Sequence, residues 1–227
     1  MIYAVSDIHG CYGKYLRLIE SIDLRPEDTL YVLGDVVDRG EQGIDILLDM
    51  QKRKNVVPLR GNHDFIALRY LRAMELPYDG EEVWELADNC RMWLADGGAP
   101  TLEAYIRLSD REKRGVLSYL RSFSVYEEVE AGGNRFFLSH TVPDKKRMQS
   151  FDTLLWQEFI VGEPEYDEEY FPDRYIVTGH TPTGLIDPAS SGRIFRHKRH
   201  IAIDCGAVFG KPLGCIRLDD FKEFYVD

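Results

Sequence analysis

The chain has 227 residues, of which 44% are hydrophobic, 12% aromatic and 30% charged. That is enough apolar material for one buried core and too much for a disordered chain. The formal net charge of −11 argues against a nucleic-acid polymer as partner, because such binders present a basic face. No apolar run approaches the roughly 20 residues of a membrane helix. Met1-Ile2-Tyr3-Ala4-Val5-Ser6 lacks a basic leader and reads as a first strand, so a cytoplasmic protein is expected.

Residues 1–6, 29–33 and 55–59 are apolar runs of strand length. After them, Tyr15, Leu16, Ile19 and Ile22, then Ile44, Leu47, Leu48 and Met50, then residues 65–74, recur at helical spacing. This alternation predicts an α/β fold with at least part of its sheet parallel. The middle changes character. Residues 81–94, 102–108 and 110–122 read as helices interrupted by Gly97-Gly98-Ala99-Pro100, a helical insertion over roughly 75–122 within one domain spanning 1–227. It either caps the site or covers one sheet face. Strands prevail afterwards, at 123–130, 135–139, 175–178, 193–195, 200–203, 215–218 and 221–226, with Gly132-Gly133-Asn134 as a hairpin turn. The acidic stretch 162–170 reads as a solvated loop. Cys11, Cys90, Cys205 and Cys215 show neither metal nor disulfide spacing and read as reduced, buried thiols.

Oxygen and imidazole donors gather where the apolar runs stop. Asp7 and His9 are two residues apart, which on extended backbone places them on one side. In Gly34-Asp35-Val36-Val37-Asp38-Arg39-Gly40, Asp35 has two carboxylate oxygens that can bridge two cations. Arg39 offers a planar donor fork suited to phosphate. In Gly61-Asn62-His63-Asp64, Asn62 supplies a neutral oxygen, and His63 can donate a proton with Asp38 as its orienting partner. His140 and His180 each end a further apolar run, and open α/β sheets form their sites at the carboxyl ends of strands. The set suffices for two divalent ions, with His63, Asp38 and Arg39 left for acid–base work and phosphate binding. Bound cations would also make the site locally positive in an acidic protein. Donors without thiolate suit manganese, iron or zinc, and spacing does not choose among them; manganese is the expected ion, with iron or zinc as alternatives. His197 and His200, beside the basic run 193–199, read as surface or strand residues.

The order D-x-H, GDxxDRG, GNHD, H, GHTP resembles the calcineurin-like metallophosphoesterases. Within them it is most similar to bacterial and phage phosphoprotein phosphatases related to the eukaryotic Ser/Thr enzymes. Asp96-Gly97-Gly98, Thr101-Leu102 and Cys205-Gly206-Ala207-Val208-Phe209 extend the likeness over nearly the whole chain. The resemblance implies a β-sandwich flanked by helices in a four-layer α-β-β-α arrangement. It implies Asp7, His9 and Asp35 on one metal, and Asp35, Asn62, His140 and His180 on a second, with a hydroxide shared between the ions. It further implies His63 as proton donor assisted by Asp38, and Arg39, Asn62 and His63 as phosphate-binding residues. The expected substrate is a phosphoserine or phosphothreonine peptide, with phosphotyrosine or a small phosphoester also accepted. Dinucleoside-polyphosphate and nucleotide hydrolases are the alternative; they share the fold and the opening Asp7-Ile8-His9-Gly10-Cys11 but tend to lack a counterpart of Asp38. An inactive scaffold is the third reading. Two departures stand out. Trp156-Gln157-Glu158 places a glutamate where the family often carries a second phosphate-binding arginine, and His140 is followed by Thr141-Val142-Pro143 instead of small residues. Lys145, Lys146 and Arg147 read first as a solvated loop, with one of them as a replacement for that arginine the alternative.

Overall fold

The computed structural model describes residues 1–75 and 90–227. In chain order, β1 (Ile2–Val5), α1 (Tyr12–Ser21), β2 (Thr29–Val32), α2 (Gly43–Met50), β3 (Val56–Pro58) and α3 (Asn62–Met74) make a run of strand–helix crossovers. Helices α4 (Ala99–Ile106) and α5 (Asp110–Arg121) follow. The remainder contains β4 (Tyr126–Ala131), β5 (Asn134–Ser139), α6 (Lys145–Met148), α7 (Glu158–Val161), β6 (Tyr175–Thr178), α8 (Thr183–Ile186), β7 (Phe195–His197), β8 (His200–Ala202), β9 (Leu213–Arg217) and β10 (Glu223–Val226).

The strands form two mixed five-stranded sheets, ordered β10-β9-β1-β2-β3 and β4-β5-β6-β8-β7. β1, β2 and β3 are parallel, as are β5, β6 and β8. Parallel pairing puts the carboxyl ends of three strands together in each sheet, and those ends carry the donors.

Period-two patterning explains the layers. In β1, Tyr3 and Val5 join a core that also holds Tyr15 and Leu18 of α1 and Leu47 of α2, while Ala4 faces a second core with Phe136, Leu138, Val177 and Ile201. In β5, Phe136 and Leu138 enter that inter-sheet core, and Phe137 points outward to Met148, Phe159 and Ile176. Helices, two sheets and short helices thus stack in the four layers expected of the fold. Truncating the fully buried Phe136 to alanine would cost about 3–5 kcal/mol in transfer and cavity terms.

Several boundaries differ from the sequence expectation. The third helix begins at Asn62, not 65, because the Asp64 carboxylate accepts the Gly61 amide (3.1 Å) and closes the first turn. Asn62 and His63 thus open the helix that follows the third strand. The break in the middle falls at Gly97, with φ at +101°; Ala99 and Pro100 open α4, where proline is tolerated. The helix predicted at 81–94 lies mostly outside the described residues. Tyr105, Val116 and Leu120 share the core of α1 and α2, so this part of the insertion covers one face of the first sheet. Strand β7 starts two residues later than predicted, after a turn in which the Arg193 amide donates to the Ser190 carbonyl (2.9 Å).

The stretch 162–170 is not simply solvated. Tyr166 and Tyr170 turn inward, with their rings 4.8 and 6.0 Å from that of His200, which is buried in β8. Cys205 and Cys215 are buried, Cys11 and Cys90 half-buried, and all four are free thiols. No described helix is long and apolar enough to cross a membrane.

Candidate active site

Asp7 and His9 follow β1, Asp35, Asp38 and Arg39 follow β2, and Asn62 and His63 open the helix after β3. His140 follows β5 and His180 follows β6. The structure brings residues from both sheets to one seam. Backbone hydrogen bonds lace the loops together: His9 N to Asp35 O (2.9 Å), Gly10 N to Val36 O (2.9 Å) and Gly179 N to His140 O (2.9 Å). Asp64 does the same from the side, its carboxylate accepting the amides of Asp35 (2.8 Å) and Val36 (3.0 Å).

These close crossings demand unusual backbone. Nine non-glycine residues among those described have positive φ, and six of them are Asp7, His9, Asp35, Asp38, Arg39 and His180. Left-handed backbone costs an L-residue about 1 kcal/mol or more. The neighbouring glycines leave the space: a Cβ on Gly179 would collide with Ser6 Oγ and Asp7 Oδ2, and one on Gly34 would sit 2.8 Å from His140 Nδ1.

Two histidines have their tautomers set by carbonyls. His9 Nδ1 donates to Val37 O (2.9 Å) and His140 Nδ1 to Leu33 O (2.8 Å), leaving each Nε2 as an acceptor. Asp35 Oδ2 lies between them, 3.4 Å from His9 Nε2 and 3.6 Å from His140 Nε2, while Oδ1 accepts the His63 amide (3.0 Å). Asn62 Oδ1 is 2.9 Å from His140 Nε2 and 3.1 Å from His180 Nδ1. Donor atoms within 4.8 Å of one another fall into two groups sharing Asp35: His9, Asp35 and His63, and Asp35, His140 and His180. Lone pairs facing lone pairs in a buried seam are the arrangement a cation resolves. The oxygen-and-imidazole set therefore fits two divalent ions with Asp35 common to both.

Electrostatics agree. Burial, reinforced by Asp204 and Asp35, lifts the Asp7 carboxyl well above its usual range, and burial beside Asp64 does the same to Asp35. Burial lowers His9 to about 3 and His180 to about 4, so the imidazoles are neutral and able to ligate.

Asp7 is placed differently from the other predicted ligands. Its Oδ2 accepts the His180 amide (2.9 Å) and the Ser6 hydroxyl, and it stands outside both close-packed groups. His63, read from sequence as a proton donor, stands within the first group. Its Nδ1 donates to Asp38 Oδ2 (2.9 Å), and its buried Nε2 has no hydrogen-bond partner among the described residues. Asp38 is fully buried and also accepts from Trp93 Nε1 (2.8 Å) and Thr101 Oγ1 (2.7 Å). Arg39 reaches His9 Nε2 with NH1 (2.9 Å) and Asp96 with NH2 (3.7 Å).

The candidate substitute arginine is committed elsewhere. Arg147 forks onto Glu158, at 2.6 Å from Nε to Oε1 and 3.0 Å from NH2 to Oε2, and Lys145 pairs with Glu168 at 2.8 Å. Lys146 is exposed. Glu158, far from repelling a phosphate, holds the arginine that was to bind one.

Sequence reasoning missed Asp204. It follows β8 as the other donors follow their strands, is 5% exposed, and has its carboxyl raised to about 6 by burial. The signal was present in the apolar run ending at Ile203.

The calcineurin-like phosphoesterase profile matches residues 1–201. The chain belongs to that family. Its members use a dimetal site, in agreement with the paired donor groups sharing Asp35. A symmetrical bis(5'-nucleosyl)-tetraphosphatase of Pseudomonas syringae pv. syringae is 35% identical over 89 residues, 38% of this chain and 31% of that protein. The enzyme of the same name from Chromobacterium violaceum is 42% identical over 65 residues, 28% of this chain and 24% of that protein. The match thus spans a third or less of these relatives. A solved chain provisionally assigned as a diadenosine tetraphosphatase superposes with TM-score 0.69 at 17% identity, covering 99% of this chain and 92% of its own. A protein serine/threonine phosphatase from Saccharomyces cerevisiae superposes with TM-score 0.60 at 15% identity, covering 99% and 78%. At such identities the two structures speak for the fold alone.

Proposed function

We propose that the chain hydrolyses dinucleoside tetraphosphates at the central phosphoanhydride, giving two nucleoside diphosphates, with two manganese ions at the seam. The observation that carries the substrate is the run of identity to symmetrical bis(5'-nucleosyl)-tetraphosphatases, 35% over 89 residues. The commitment of Arg147 to Glu158 supports it, because it leaves Arg39 as the guanidinium beside the donor groups. This reading replaces the phosphopeptide expected from the motifs; a small nucleotide, not a nucleic-acid polymer, is the partner, and the cytoplasm is its place.

His9, Asp35, Asn62, His140 and His180, with Asp7 beside them, are the residues that would hold the ions. When bound, divalent ions activate the attacking water and neutralise charge developing on the phosphoryl oxygens. Arg39 donates to the phosphate and fixes its approach. Water oxygen forms the new P–O bond and releases a proton to solvent as the bridging P–O bond breaks in line, and His63 Nε2–H gives its proton to the departing phosphate oxygen. Asp38 keeps the His63 ring in place and balances its positive charge.

One observation favours the phosphoprotein reading: Asp38 is present and engaged by His63, where the nucleotide enzymes tend to lack it. Manganese-loaded protein given diadenosine tetraphosphate and a phosphoserine peptide separates the two. We expect the higher kcat/KM on the dinucleotide; a preference for the peptide by an order of magnitude would reverse the assignment.

A further inference from the structure

Phe209 lies in the short turn Ala207–Phe209 that follows β8, between Gly206 and Gly210, both with positive φ (83° and 79°). The turn is pinned. The Gly206 amide donates to Asp204 Oδ1 (2.8 Å), the Phe209 amide to Gly206 O (2.9 Å), and Lys14 Nζ to Ala207 O (3.1 Å). The Phe209 side chain is nevertheless 61% exposed. The ring centroid stands 5.6 Å from the Arg39 guanidinium carbon, and Arg39 in turn reaches His9 at the donor groups. The path from the seam to solvent therefore runs through imidazole and guanidinium to an aromatic ring left mostly in water.

We infer that Phe209 is the stacking platform for a nucleobase of the substrate, an inference that rests on the dinucleoside-polyphosphate reading. In a nucleotide the base is one ribose removed from the phosphates. A ring 5.6 Å from that arginine, and more exposed than it (61% against 30%), is within reach of such a base. Stacking on a phenyl ring uses the π-face that every base possesses, so the site accepts adenine and guanine alike. The guanidinium against the ring adds a cation–π contact that keeps the ring and Arg39 in register.

The test is titration calorimetry of manganese-loaded wild type, Phe209→Ala and Phe209→Trp with ADP and with pyrophosphate, which has no base. Wild type and Phe209→Trp should bind ADP more tightly than pyrophosphate, and Phe209→Ala should lose roughly 5- to 150-fold in ADP affinity while keeping its pyrophosphate affinity. An equal loss for both ligands would show that Phe209 only steadies Arg39, and an ADP preference surviving in Phe209→Ala would also overturn the inference. Turnover of diadenosine tetraphosphate by wild type is measured separately. Its absence would sink the functional reading without bearing on the binding comparison.

Discussion

The substitution Asp38→Asn isolates one charge in the site. Asp38 is fully buried and takes donors from His63, Trp93 and Thr101, while its own amide donates to Thr101 Oγ1 (2.9 Å). Asparagine has the same outline. Its oxygen can occupy the Oδ2 position and keep His63 and Trp93, and its amide can turn to Thr101, so the scaffold survives. What disappears is the anion facing His63. At an effective dielectric of about 20, an ion pair with charge centres about 4 Å apart is worth roughly 4 kcal/mol. Replacing a charge-assisted hydrogen bond with a neutral one gives a lower bound near 1–2 kcal/mol. The step that needs protonated His63 should therefore slow by roughly 10- to 1000-fold. The assay is kcat on phosphate monoesters whose leaving groups run from nitrophenol to simple alcohols, with metal content measured in parallel. The loss should grow with leaving-group basicity and be smallest for a polyphosphate, whose departing phosphate needs little protonation. A uniform loss across the series, or a fall in bound metal, would refute the proton-donor role.

Three further outcomes follow from the geometry. His200 is buried and held down to about 3 from 6.5, so the unfolded chain takes up a proton between those values that the folded chain refuses. His200 should contribute about 1.4 kcal/mol per unit to the fall in stability as pH drops from 6.5 toward 3, and His200→Gln should make the slope shallower by that amount; parallel urea midpoints for the two proteins would contradict it. Arg147→Ala and Glu158→Ala should leave the KM for diadenosine tetraphosphate unchanged, because the pair is satisfied within itself, and a rise in KM for Arg147→Ala alone would restore Arg147 to the phosphate. Gly179→Ala should strip metal from the purified protein, since its methyl group must displace Asp7 or Ser6; full metal content would show that the loop yields more easily than the contacts imply.

Much of the site was legible because it is written in short runs at strand ends. Asp7 and His9, Asp35 and Asp38, Asn62 and His63 are local patterns, and parallel β1, β2 and β3 bring such ends together. His140 and His180 were legible for the same reason in the second sheet. What escaped were partners without a local pattern. Trp93 and Thr101 reach Asp38 from across more than 50 residues, and neither periodicity nor spacing marks them as its hydrogen-bond donors. The tautomers of His9 and His140 depend on the carbonyls of Val37 and Leu33, which no side-chain pattern encodes. The Arg147–Glu158 fork was missed because the glutamate was weighed against a phosphate instead of against its own neighbours. Tyr166 was read as part of a polar loop because acidic residues surround it, although its ring packs on His200.

The left-handed backbone at Asp7, His9, Asp35, Asp38, Arg39 and His180 has a consequence for anyone who would breed a hardier version of this protein. Glycine adopts that conformation without steric penalty, so a selection for heat tolerance alone would favour glycine at whichever of these places the relieved backbone outweighs the hydrogen bonds lost with the side chain. Each such gain would remove a group from the seam. The most robust descendants of the chain would keep its architecture and lose its chemistry, and only a screen that scores turnover beside survival would retain both.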